Sequence, residues 1–95
     1  MTERITGGSQ DYYKVYVKNP TTRRRGYWAE CNDIIEALGL NYAEATVMKA
    51  IWRISAWRRG LQQKAHPLYD AEKVLFFGKR VHVQIKSDWE DRNND

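Results

Sequence analysis

Residues 41–60, NYAEATVMKAIWRISAWRRG, read as one helix whose two ends are signalled by its own residues. Asn41 is a good N-cap, and Glu44, three positions on, is its capping-box partner. Gly60 is the stop, so the helix is expected to run to about Arg59. At helical periodicity Ala43, Val47, Ala50, Ile51, Ile54 and Trp57 form its inner stripe. A helix of this length with one apolar side needs partners, and the flanking sequence supplies them.

Upstream, residues 28–38 also read as a helix. Trp28, Cys31, Ile34, Ile35 and Leu38 share one side, while Glu30, Asn32, Asp33 and Glu36 share the other. Gly39 is placed to end it in the left-handed conformation. Before it, residues 12–18 alternate: Tyr13, Val15 and Val17 face one way, and Tyr12, Lys14, Tyr16 and Lys18 the other. That is a short strand or extended arm. Asn19-Pro20 breaks it, and residues 21–26 form a loop carrying Arg23, Arg24 and Arg25.

Downstream, residues 61–67 are a connection, and the last segment has two readings. Val81, Val83 and Ile85 alternate with His82, Gln84 and Lys86, so a hairpin turning at Gly78-Lys79 fits. A helix fits as well, with Ala71, Val74, Phe77, Gly78, Val81 and Ile85 on one face. It leaves Phe76 and Val83 outside the stripe and places a glycine inside the helix, at about 1 kcal/mol.

Ninety-five residues, 42% of them hydrophobic, allow one domain with a modest core. Cys31 is the only cysteine, so no intramolecular disulfide can form and a reducing compartment is expected. No apolar run is long enough to cross a bilayer and no signal segment opens the chain, so the expected location is cytoplasmic, with no membrane partner. The net charge of +4 is unevenly spread. Residues 88–95 hold four acids against Arg92, whereas residues 12–87 hold 14 basic and six acidic residues, a net +8. So basic a body suits a phosphate-bearing partner, although solubility alone would also account for it.

Trp52 is the local oddity. It lies nearly opposite the inner stripe, with Lys49, Arg53 and Arg59 around it and Met48 close by. An indole among cations is suited to stacking on a base while the cations hold phosphate. It is equally suited to burial against another layer or another copy of the chain, so a homo-oligomer is expected. Arg23, Arg24 and Arg25 form the densest charge cluster, on a loop with the reach that phosphate contacts need. Arg58 and Arg59 also complement the negative end of their helix dipole.

Catalytic chemistry has little support. Glu30, Asp33 and Glu36 would lie along one helix face and could hold Mg²⁺ with help from a nucleotide, or could simply be a solvated face. Asp70 and Glu72, two apart, do not make a second acidic set. Gly78-Lys79 lacks the upstream glycine of a P-loop. His66, His82 and the core-side Cys31 form no recognisable nucleophile–base pair.

Three stretches together resemble the SaV-like family of small bacteriophage proteins, a domain of unknown function. They are residues 30–40 (ECNDIIEALGL), residues 49–53 (KAIWR, beside the family's Lys-Tyr-Ile-Trp-Arg) and residues 70–81, with their Asp, Lys, aromatics and Arg. The resemblance spans roughly residues 28–86 and departs at Ala50, where a tyrosine is usual. The Pro-His-Tyr stretch often found upstream is also replaced, by residues 19–27. It implies a helix for the last segment, a phage origin and action in the host cytoplasm. Some members carry a nucleotide-kinase label.

The expected fold is therefore mainly α: a small three-helix domain with a short N-terminal strand or extended arm. Residues 1–11 are expected to be a flexible N-terminus, 12–87 the single helical domain, and 88–95 an acidic flexible tail. The expected function is a non-enzymatic phage protein that binds a nucleotide or nucleic acid and interferes with a host process, as counter-defence or host takeover. Arg23, Arg24, Arg25, Lys49, Arg53 and Arg59 would contact phosphate and Trp52 would stack; no catalytic residue, metal or cofactor is assigned. The alternatives are a nucleotide-processing enzyme using Glu30 or Asp33 with Mg²⁺, and a protein-binding inhibitor of a host factor with Trp52, Phe76 and Val83 as its patch.

Overall fold

A computed structural model describes residues 11–61 and 66–93. The flexible stretch expected over residues 1–11 lies outside them except for Asp11. The chain is a small, mainly α domain. A 3-10 turn, Asp11–Tyr13, leads into β1 (Lys14–Val17), then β2 (Tyr27–Glu30), α1 (Cys31–Leu38), α2 (Tyr42–Arg58) and α3 (Pro67–Asn93). Among the described residues, no helix is long and apolar enough to cross a membrane.

The helix expected over residues 41–60 is present with its expected ends. The Asn41 side chain accepts from the Glu44 amide at 2.9 Å, and the Glu44 carboxylate accepts from the Asn41 amide at 3.0 Å. Gly39 takes φ 64° and closes α1, its N–H donating to Glu36 O while Leu40 N–H donates to Ile35 O. Gly60, at φ 80°, follows α2.

The helix start expected at Trp28 is corrected to Cys31. Residues 27–30 pair antiparallel with β1 instead, in the register Lys14↔Glu30, Val15↔Ala29, Tyr16↔Trp28 and Val17↔Tyr27. Trp28 fitted the helical stripe by spacing, but cross-strand pairing satisfies its backbone and leaves its ring on the sheet's outer face. The strand expected over residues 12–18 shortens to four, because Tyr12 and Tyr13 belong to the 3-10 turn.

The last segment is one helix of 27 residues. Asp70, Ala71, Val74, Phe77, Gly78, Val81 and Gln84 form its less exposed side, against α2. Phe76 and Val83, the residues that blurred the helical reading, are exposed. The helix also absorbs most of the acidic stretch expected as a flexible tail, since residues 88–93 continue it to Asn93 with every side chain exposed. Pro67 at its first position needs no intrahelical donor, which makes it a good start.

The antiparallel pair α2–α3 is the body of the fold, and small residues let it close. Ala43, Thr46, Ala50 and Ala56 are the buried residues of α2. Two polar ties hold its ends. Asn41 Nδ2 donates to Gln84 Oε1 at 3.0 Å, and Arg53 donates to Asp70 from Nε (2.9 Å) and Nη2 (2.8 Å). The inner stripe is accordingly rotated from the expected one: Ile51 and Trp57 are about half exposed, while Arg53 is turned inward. At 1.5 Å per residue α3 is about 40 Å long and α2 about 25 Å, so α3 runs on past the Asn41–Gln84 tie. The radius of gyration, 16.5 Å, exceeds the roughly 12 Å of a compact chain of this length.

Candidate nucleic-acid interface

The hairpin presents two faces. Val15, Val17, Tyr27 and Ala29 point one way, and Val15 lines a groove with Met48 and Trp52 of α2. Lys14, Tyr16, Trp28 and Glu30 alternate onto the other face. There Tyr16 and Trp28, directly opposed across the strands, meet edge to face with centroids 5.4 Å apart. They remain 50% and 66% exposed, respectively, an unusual outlay of aromatic surface for a solvated sheet face.

Gly26 explains how the Tyr16 ring lies down. A Cβ at position 26 would overlap the Tyr16 hydroxyl and sit 2.6 Å from its Cζ and 2.7 Å from Val17 O. The missing side chain is thus the space that the phenol occupies. A cleft of about 590 Å³ continues the face, lined by Lys14, Trp28, Glu30 and Asp33.

Arg23, Arg24 and Arg25 are all exposed on the loop joining the strands. Arg23 folds back over the Tyr27 ring at 4.8 Å. Among the described residues, Arg24 and Arg25 make no hydrogen bond or ion pair through their side chains, which leaves both guanidinium groups to solvent. The loop that carries the three cations joins the two strands that carry the exposed aromatic pair, with Arg23 turned to Tyr27 on the opposite face.

The other expected site residues are scattered. Trp52 does not stand open: its Nε1 donates to the Tyr12 carbonyl at 3.0 Å, and its ring lines the groove of about 670 Å³ beneath Val15. Arg59 lines the same groove, its Nε near the Ser55 carbonyl and hydroxyl. Lys49 is exposed, and its charge reaches Cys31.

Arg53 is corrected outright. Its guanidinium spends three donors inside the protein, two on Asp70 and Nη1 on the Tyr13 hydroxyl at 2.7 Å, and its side chain is only 12% exposed. Burial works against the charge, yet the hydrogen bonds to Asp70 and Tyr13 hold its pKa above the ordinary arginine value. A group so engaged is a structural cation and not a phosphate contact. Asp70 is fully buried, and its Oδ2 has no partner among the described residues.

The acidic set is rearranged too. Glu30 sits on β2 and Asp33 in the first turn of α1, both on the Trp28 cleft, while Glu36 accepts from Asn32. Among the described residues, no group of three or more His, Cys, Asp and Glu side chains could hold a metal ion. Phe76 and Val83 share the exposed side of α3, away from Trp52, so the three do not make one patch.

Sequence reasoning missed Tyr16 and Trp28 as a pair. The alternation of residues 12–18 did place Tyr16 with Lys14 and Lys18, but its partner was assigned to a helix. Comparison with protein-family models, with curated proteins and with solved structures finds no match.

Proposed function

We propose that the chain is a non-enzymatic binder of nucleic acid, which uses the outer face of its hairpin as a stacking platform and the adjoining arginines for phosphate. The observation that carries the reading is the exposed Tyr16–Trp28 pair on a hairpin whose connecting loop exposes Arg24 and Arg25. Bases with free faces stack on aromatics, and a cationic loop follows a flexible backbone, so an unpaired strand is the favoured form. A mononucleotide would use one ring and one phosphate contact, and would bind more weakly. Trp28 thereby takes the stacking role first expected of Trp52, and Arg23, Arg24 and Arg25 keep theirs.

The narrower reading is a phage protein acting in the host cytoplasm to interfere with a host process. It is supported by the resemblance of residues 30–40, 49–53 and 70–81 alone. The basic body, net +8 over residues 12–87, supports the general reading independently of that resemblance.

The test is fluorescence anisotropy of labelled single-stranded oligonucleotides at low salt. Loss of one stacked base is worth about 1–3 kcal/mol, so Trp28→Ala should weaken binding by roughly 5- to 150-fold. Replacing Arg23, Arg24 and Arg25 by Gln should flatten the salt dependence, by about 2 in the slope of log K against log salt. No binding of any single strand, or binding indifferent to Trp28→Ala, would defeat the proposal.

A further inference from the structure

Helix α3 has an unpartnered side as ordered as its packed one. Opposite the face that meets α2, Leu68, Leu75 and Trp89 fall in one register of seven, with His82 at the remaining position. Tyr69, Phe76 and Val83 form a second register about 100° further round the helix, with Glu72, Lys79 and Lys86 on the line between the two. Those six large apolar residues are between 48% and 75% exposed, and they run along roughly 30 Å of helix. A strict repeat of seven on a helix keeps one seam facing a second helix as the two supercoil. A helix that is apolar on two sides belongs between two layers, and the described residues supply only one.

We infer that a second copy of this chain covers that side, the two α3 helices pairing antiparallel across a two-fold axis near Lys79. Area supports a copy of the chain as the occupant. At about 150–250 Å² for a large side chain, the exposed parts of these six hold on the order of 700–800 Å², close to the ~800 Å² per partner of a stable interface. One self-complementary stripe meeting itself is also what a two-fold contact requires.

Charge selects the direction. Between the two apolar registers Glu72 lies near the N-terminal end of α3 and Lys79 and Lys86 follow; Arg80 flanks them, and Asp88, Glu90 and Asp91 lie at the C-terminal end. A parallel pair would align acid with acid and base with base. The antiparallel pair sets Glu72 across from Lys86, and Tyr69 across from Trp89. It also brings the acidic end of each helix to the positive end of its partner's dipole. The subunit boundary thus lies on α3, not at Trp52 as the residue pattern of α2 had suggested. The inference does not rest on nucleic-acid binding.

Sedimentation velocity of the full chain between 1 and 100 µM tests it. The expected species is a dimer, and Phe76→Glu should raise its dissociation constant on the order of 100-fold or more. Phe76 is exposed in the single chain, so far-UV circular dichroism should show that the variant keeps its helices. Direction is read by oxidation of single-cysteine variants in a Cys31→Ala background. Lys79→Cys should form a disulfide-linked dimer and Leu68→Cys should not. A monomer at 100 µM, a dimer indifferent to Phe76→Glu, cross-linking through Leu68→Cys as well as Lys79→Cys, or no cross-linking through Lys79→Cys would overturn the inference. A monomer that instead binds another protein through this face falls under the first of these.

Discussion

The ion pair between α2 and α3 carries a large, separable share of the stability. Asp70 is fully buried, Arg53 is 12% exposed, and the two meet at 2.8 Å. Arg53→Met removes the cation and leaves a carboxylate with no charge partner in a site closed to water. Breaking a buried pair from one side costs about 3–5 kcal/mol, whereas replacing both partners by apolar groups is often neutral. Against a total of roughly 5–15 kcal/mol for a small domain, the single change removes about a fifth or more. At about 4–8 °C per kcal/mol, the melting temperature should fall by on the order of 15 °C or more.

Urea unfolding followed by circular dichroism, at fixed protein concentration, measures this directly. Arg53→Met and Asp70→Leu should each be strongly destabilised, and the double variant should recover to within about 2 kcal/mol of the parent, leaving a coupling of about 4 kcal/mol or more. The pKa of Arg53 is raised on folding, so its contribution is present below the ordinary arginine value and fades only above it. The deficit of Arg53→Met should therefore persist across the neutral range. A single variant within about 1 kcal/mol of the parent, or a double variant worse than both singles, would refute the reasoning.

Gly78 lies inside α3 with nothing within 4 Å of where a Cβ would stand, so Gly78→Ala should stabilise the fold by about 0.5–1 kcal/mol, read as a raised melting temperature. Asn41→Ala removes the acceptor of the capping box and the tie to Gln84 together; a loss of about 1–2 kcal/mol in urea is expected. Trp52→Phe keeps the ring in its groove but drops the bond to Tyr12 O, at about 0.5–1.5 kcal/mol by the same assay. Burial pushes the Cys31 thiol above its ordinary value, with Lys49 and Arg53 only partly opposing. Native protein at neutral pH should thus react slowly with a disulfide reagent, and protein in urea quickly.

What was legible in the residues was local. The capping box at Asn41 and Glu44 and the glycine stops at Gly39 and Gly60 need only neighbours within four positions, and all appear where expected. Trp28 was misplaced because its spacing to Cys31 and Ile35 satisfies a helix, while its actual partner, Tyr16, lies 12 residues away across a loop. The ion pair joins Arg53 to Asp70 over 17 residues, and nothing near either residue announces it. Arg53 looked like a surface cation for that reason. The arginine loop was legible as a loop, but the aromatic face beside it depended on strand register, which alternation alone does not supply. The last helix stayed ambiguous by periodicity because Phe76 and Val83 serve a different face from Phe77 and Val81.

The unequal lengths of α2 and α3 have a consequence for how order is distributed in time. Up to Gln84, amide hydrogens of α3 are held by a helix packed against another helix, and they should exchange only when that pair opens. Residues 85–93 are exposed on every side, and a helical end of this length is marginal on its own in water. Their exchange should be fast in a lone chain and slow in an associated one. The final two turns would then report, residue by residue, how often the chain meets something that covers them.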